Sequence, residues 1–321
     1  KYSLMLSIIL YVCGCVYIVF GACTIAKNAN NKVNRLFLLL TISLAIWSFS
    51  HSISNSAATA EESAFCRSFS VSGWGIFSSI LLHLILVLAK TESRLNKRIL
   101  YGMIYLPAFI NIISFGPFGY FFEKQYKMVQ TDFGWMNMAP MYYAGIWLNL
   151  YYIIFSIVSL ILLICWWRKL EPHTAEKRLA KHFLISIILL FFIEAVIDML
   201  PDILDKKFFP KLPVLFLLVP TIILFAVLKK FELLSARREK IPMLRGTDKS
   251  GSDRLRLFRT AAVIFMFGGA ISFLVGYFGK KGSLGRELLY AAALLLFGVF
   301  TRIIPFITKK HAVQNTIFLV I

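Results

Sequence analysis

SLMLSIILYVCGCVYIVFGACTIA, residues 3–26, runs from end to end without a charged side chain. As a helix rising 1.5 Å per residue, a run of this length covers the roughly 30 Å of a bilayer's hydrocarbon core. It is too long for the apolar part of a secretory signal and lacks an A-x-A-like cleavage site. It therefore reads as a first membrane span, and the rest of the chain repeats the pattern. Further apolar blocks fall at about 36–56, 65–89, 99–115, 141–167, 183–200 and 213–228. Two more follow at about 259–278 and 287–306, and a tenth begins near 312.

The composition agrees. Hydrophobic residues make up 59% of the 321, charged residues only 16%, and the mean hydropathy is +0.74. A water-soluble domain carries more charge, and the alternating ten-residue strands of a membrane β-barrel are missing. The predicted fold class is all-α, a polytopic membrane helix bundle: seven helices over residues 1–235, a basic linker at 236–258, and two to three further spans over 259–321. Residue 1 is Lys and NTIFLVI stops inside the tenth run, so the chain is expected to be a piece of a longer protein.

The formal charge of +19 invites a nucleic-acid reading. The loops give a simpler account. About 22 Lys and Arg fall in the 1–2, 3–4 and 5–6 loops and after the seventh span, against about 7 in the alternate loops. The positive-inside rule then puts the N-terminus outside and the exit of the seventh span in the cytoplasm, with no nucleic acid as partner. Cys13, Cys15, Cys23 and Cys165 fall in or beside spans, Cys66 lies near an outer loop, and neither a disulfide framework nor a zinc spacing is legible. No metal and no cofactor is expected.

Two connecting segments are long. GPFGYFFEKQYKMVQTDFGWMNMAP, residues 116–140, reads either as a lid over an outer pocket, with QYKMVQ and FGW forming a short hairpin, or as an aromatic belt at headgroup level. The stretch after 228 begins as a basic amphipathic helix and suits an anionic lipid surface or plain connecting sequence.

Ionisable groups at membrane depth are costly and face the bundle interior. FFIEAVIDMLPD, residues 191–202, carries Glu194 and Asp198 on one helical face. They read either as a ligand or ion site, or as locally satisfied groups, Asp198 wetted at the interface and Glu194 protonated or bonded to a neighbouring helix. Trp47 and His51 on the second span, Trp74 on the third and Trp147 on the fifth reach a similar depth, the last in a stripe Tyr143–Trp147–Tyr151. Aromatic walls with two carboxylates suit a cationic or amphipathic ligand. Packing alone produces the same residues. Ser68, Ser72, Gly75, Ser79 and His83 share one face of the third span, which turns His83 toward a neighbouring helix, as a signal relay or as a structural hydrogen-bonder.

NKVNRLFLLLTISLAIWSFSHSISNSA (31–57), Arg67, GWGIFSSILLHLILVLAKTE (73–92), YLPAFI (105–110), DMLPD (198–202) and LVPTIILFAVLKKFELL (218–234) occur in that order on successive spans. Together they resemble the N-terminal seven-transmembrane region of bacterial sensor histidine kinases, over about residues 3–235. The resemblance implies a receptor module with an outside N-terminus, a homodimer, a small or amphipathic ligand, and a cytoplasmic histidine kinase or diguanylate cyclase output. It adds weight to Trp47, Trp74 and His83. The spans after residue 258 depart from that pattern.

No H-E-x-x-N-P box, G-G-D-E-F, P-loop, G-x-S-x-G or H-E-x-x-H is present, so no catalytic residue is expected in this chain. A small-solute or proton-coupled transporter using Glu194 and Asp198 is the alternative, against which stands the lack of an internal repeat. A lipid enzyme is disfavoured because Asp198, Asp202 and Asp205 do not match a magnesium-binding spacing.

Overall fold

The computed structural model describes residues 2–89, 96–138, 143–203 and 213–238; the side chains of 2, 27, 124, 143–145, 190–203 and 230–238 lie outside that description. Helices α1 (Tyr2–Lys27) and α2 (Lys32–Ser56) form an antiparallel pair. The Asn-rich turn between them closes both ends. Asn31 Oδ1 accepts from the Val33 N–H at 2.9 Å, capping α2, and Asn34 Nδ2 donates to the carbonyls of Thr24 (3.3 Å) and Asn28 (3.1 Å).

Along the pair, Ser48, Ser52 and Asn55 recur on one face of α2. They donate to the carbonyls of Leu10 (2.6 Å), Ser7 (2.7 Å) and Ser3 (3.1 Å). Lipid tails are as apolar as leucine, so small polar side chains and close packing join helices in a bilayer.

The third span has two parts, α3 (Ala60–Phe69) and α4 (Val71–Leu88), joined through Ser70. It starts five residues before the expected 65, because Thr59 and Glu62 form a capping box. Thr59 Oγ1 accepts from the Glu62 N–H at 3.2 Å, and Glu62 Oε2 accepts from the Thr59 N–H at 3.3 Å. Gly73 lies against the α2 backbone. A Cβ there would stand 2.7 Å from the nitrogen and 2.9 Å from the Cβ of Trp47, so only glycine lets these two helices meet.

α5 (Lys97–Phe115) returns to the end of the bundle where the chain starts, capped by Asn96 and carrying Pro107. The segment after it holds a short helix α6 (Phe122–Gln125) and the strands β1 (Met128–Thr131) and β2 (Gly134–Asn137). The strands pair antiparallel, Met128 opposite Asn137 and Thr131 opposite Gly134, which is the hairpin expected from the sequence. α7 (Tyr143–Lys169), α8 (Ala175–Ile203), α9 (Pro213–Phe216) and α10 (Leu218–Arg238) complete the described chain.

Five spans, formed by α1, α2, α3–α4, α5 and α7, are long and apolar enough to cross a membrane. α8 matches them at 29 residues, and α9–α10 adds an apolar helix over 213–229. The architecture is an all-α, multi-pass membrane bundle. Its outer faces are apolar: Ile99, Met103, Leu106 and Ile113 on α5 and Ile146, Leu150, Ile153, Ile157 and Ile161 on α7 are exposed. In water such stripes would be buried; in a bilayer they meet acyl chains.

α2 and α8 begin at Lys32 and Ala175 rather than near 36 and 183, since Lys and Arg stems extend a helix beyond the hydrocarbon. The spans expected at 259–278 and 287–306, the one from 312 and the linker from 239 lie outside the described residues.

One core, around Leu10, Tyr17, Trp47, Trp74, Phe115 and Val214, lies at the hairpin end. A second, around Phe37, Leu84, Ile85, Leu163, Phe183 and Leu224, lies at the basic end.

Candidate functional site

A cavity of about 880 Å³ runs between these cores, inside the size range of small-molecule sites. Its walls are α2, α4 and α7. Gln125, Tyr126, Trp135, Met136 and Asn137 of the hairpin segment line one end, and Leu81, Ile85, Leu163 and Ile187 the other.

The hairpin is built to sit there. Gly134 takes φ +102°, a conformation open to glycine. The Asn55 side chain fills the space where its Cβ would be. Thr131 Oγ1 donates to the Gly134 carbonyl at 2.8 Å. Trp135 Nε1–H donates to the Ala57 carbonyl at 2.8 Å, and Arg67 Nη1 donates to the Trp135 carbonyl at 3.3 Å. Tyr126 OH donates to the Phe115 carbonyl at 3.1 Å. Burial pushes the Tyr126 phenol above its ordinary range, and the nearby Arg67 guanidinium, pulling it down, does not cancel that. The phenol stays neutral as a hydrogen-bonding group.

Trp47, His51 and Trp74 all line this cavity. Trp47 Nε1–H donates to His51 Nε2 at 3.2 Å, with the rings edge-on at 6.0 Å. In the neutral imidazole the proton then sits on Nδ1. Trp74 Nε1–H donates to Ser70 Oγ at 2.9 Å, and its carbonyl accepts from Tyr152 OH at 2.8 Å. Deeper in, the buried Ser159 hydroxyl finds no partner among the described residues.

Trp147 is elsewhere. It is 39% exposed, and its Nε1–H donates to Asn111 Oδ1 at 2.9 Å, while Asn111 Nδ2 donates to the Gly75 carbonyl at 3.3 Å. It ties α7 to α5 and α4. Tyr151 likewise turns from the cavity, its hydroxyl 2.8 Å from Ser79 Oγ. The face of α7 toward the cavity carries Leu148, Tyr152, Phe155 and Ser159, one position further round. Glu194 and Asp198 lie on α8, and their side chains are outside the described residues.

His83 does face a neighbouring helix. Its Nδ1 is 2.7 Å from Tyr105 OH and its ring stands 5.1 Å from that of Tyr101, both on α5. Lys32 Nζ donates to Tyr101 OH at 2.9 Å. Ser79 Oγ donates to the Ile104 carbonyl at 2.6 Å, so Gly75, Ser79 and His83 share the face that meets α5. His83 takes no part in the cavity lining.

Arg67 is what the sequence reading undervalued. Among the described lining residues it is the one charged side chain, and no acid among them faces it. The signal was present as a lone cation at the head of an apolar span. Among the described residues no three His, Cys, Asp or Glu are placed to hold a metal ion.

Apolar spans joined by glycine contacts and hydroxyl-to-carbonyl bonds, around a cavity with mostly apolar walls, define a polytopic helical membrane protein. The chain belongs to the family described as the N-terminal 7TM region of histidine kinase, which matches residues 3–235. No curated protein and no solved structure matches it.

Proposed function

We propose that residues 1–235 are the sensory input module of a signal-transduction protein. The cavity is its receptor site, the hairpin end faces the outside, and the basic loops lie in the cytoplasm. The observation carrying this reading is the cavity of about 880 Å³ under the hairpin in a chain of the histidine-kinase 7TM family. The hairpin acts as a lid. A ligand shifts the helix arrangement by the difference in its affinity for two states, and α10 carries that difference toward an output of kinase or cyclase type. The protein works as a homodimer, and Glu194 and Asp198 modulate the site from α8.

The test uses the full-length protein in vesicles. Ser78→Phe fills the cavity from α4 and is expected to fix output activity, read as ATP-dependent phosphorylation or cyclic dinucleotide formation, in one state. Unchanged output in a folded variant refutes the receptor reading. Single cysteines in the 168–182 turn are expected to react with an impermeant maleimide only from the cytoplasmic side; labelling from outside inverts the topology and removes the proposal.

A further inference from the structure

We propose that the cavity takes an anionic single-chain amphiphile, with its headgroup on Arg67 beneath the hairpin and its acyl chain running toward Leu81, Ile85 and Leu163. This names the ligand class of the receptor site and rests on that reading. Of the cationic or amphipathic ligands that the sequence suggests, it selects an amphiphile and gives it a negative headgroup.

A half-buried guanidinium offers five N–H donors in a planar fork. The described contacts use one, to the Trp135 carbonyl. A cation drawn away from water without a countercharge is costly, and a carboxylate or phosphate supplies that charge with two parallel hydrogen bonds. His51 adds a second donor at the same end. Its Nε2 is occupied by Trp47, which leaves the Nδ1–H. The neutral Tyr126 hydroxyl puts no opposing negative charge beside the headgroup.

From Arg67 to Ile85 the span α3–α4 advances about 27 Å at 1.5 Å per residue, so the lining extends over most of a hydrocarbon core. The deep end is aliphatic. A methylene is about the size of a water molecule, whose share of liquid volume is about 30 Å³. A chain of about sixteen carbons then needs on the order of 500 Å³, and the cavity of about 880 Å³ holds it together with its headgroup. A compact anion would leave the lower walls unfilled, and a neutral hydrocarbon would leave Arg67 unanswered.

The experiment titrates the purified chain, in nanodiscs of zwitterionic lipid, by tryptophan fluorescence; Trp47, Trp74 and Trp135 all line the cavity. The probes are saturated carboxylates of eight to sixteen carbons, the matching alcohols, and the matching alkyl trimethylammonium ions. Carboxylates are expected to bind at least ten-fold more tightly than either. Each added methylene is expected to tighten binding about four-fold until the cavity is full. Arg67→Gln is expected to weaken carboxylate binding about ten- to hundred-fold and to abolish the preference over alcohols. Arg67→Lys, keeping the charge without the fork, is expected to fall between.

Octanoate added in buffer and lysophosphatidate preloaded in the bilayer separate a soluble source from a membrane one. Binding of either supports the anionic class. Ammonium ions binding as tightly as carboxylates, no dependence on chain length, or an Arg67→Gln variant that melts like the parent and binds carboxylates unchanged each overturn it. The two readings fail separately. Carboxylate binding with no change in full-length output sinks the receptor, whereas output altered by Ser78→Phe with no carboxylate binding sinks the ligand class.

Discussion

Gly73→Ala adds one methyl group, and the structure says it lands on another helix. Its nearest neighbours would be the Ser43 carbonyl oxygen, the Trp47 nitrogen at 2.7 Å and the Trp47 Cβ at 2.9 Å. Ordinary contact is near 3.5–4.0 Å, so α4 must move off α2 by the better part of an ångström. Two of the three obstacles are backbone atoms and cannot rotate aside. Overpacking of this kind costs about 1–3 kcal/mol. Replacing a mid-helix glycine by alanine returns about 0.5–1 kcal/mol, so the net expectation is a loss of about 0–2.5 kcal/mol, centred a little above 1.

Gly102 on α5 is the built-in control, because a Cβ there meets nothing within 4 Å. Gly102→Ala is expected to stabilise by about 0.5–1 kcal/mol. Thermal melts of both variants in one detergent, followed by circular dichroism, read the two signs directly. Equal shifts, or a stabilised Gly73→Ala, would refute the close approach of α2 and α4. That approach also places Trp47 and Trp74 across the cavity, so Gly73→Ala should alter their fluorescence while Gly102→Ala should not.

Ser48→Ala removes the hydroxyl that donates to the Leu10 carbonyl; a loss of about 0.5–1.5 kcal/mol is expected in the same melts. Tyr126→Phe tests the lid by pH. The folded phenol holds its proton above the ordinary range near 10 while the unfolded one does not. The stability this supplies is complete below pH 10 and declines as pH rises beyond it; melts from pH 9 to 11 should show that slope in the parent and a shallower one in the variant. Trp147→Phe should cost about 1 kcal/mol through the lost bond to Asn111 and leave binding in the cavity unchanged, which fluorescence titration checks.

The spans were legible because twenty-residue apolar runs leave few alternatives, and the hairpin because Gly134 marks the turn between two short extended segments. Trp47, His51 and Trp74 line the cavity because helix register sets their face once their depth is known. Trp147 does not line it. The aromatic stripe was the wrong marker on α7: Asn149, Ser156 and Ser159 recur at helical spacing on the face that lines the cavity, while Trp147 and Tyr151 bond to Asn111 on α5 and Ser79 on α4. The start of α3 is written in Thr59-x-x-Glu62, a polar signal that lies outside the apolar run and so does not show in hydropathy. Arg67 was counted as a topology charge. Nothing in its neighbourhood of sequence reveals that a carbonyl sixty-eight residues away, on Trp135, would fold over it.

The hydroxyl ladder between α1 and α2 has a mechanical meaning. Its rungs are short side chains fixed at successive heights, so neither helix slides or rotates without breaking several together. α7 is held instead at the ends of long aromatic rings, through Tyr151, Tyr152 and Trp147, which can swing and stay attached. On the receptor reading, α7 is therefore the cavity wall expected to move against α1, α2 and α4 when ligand binds.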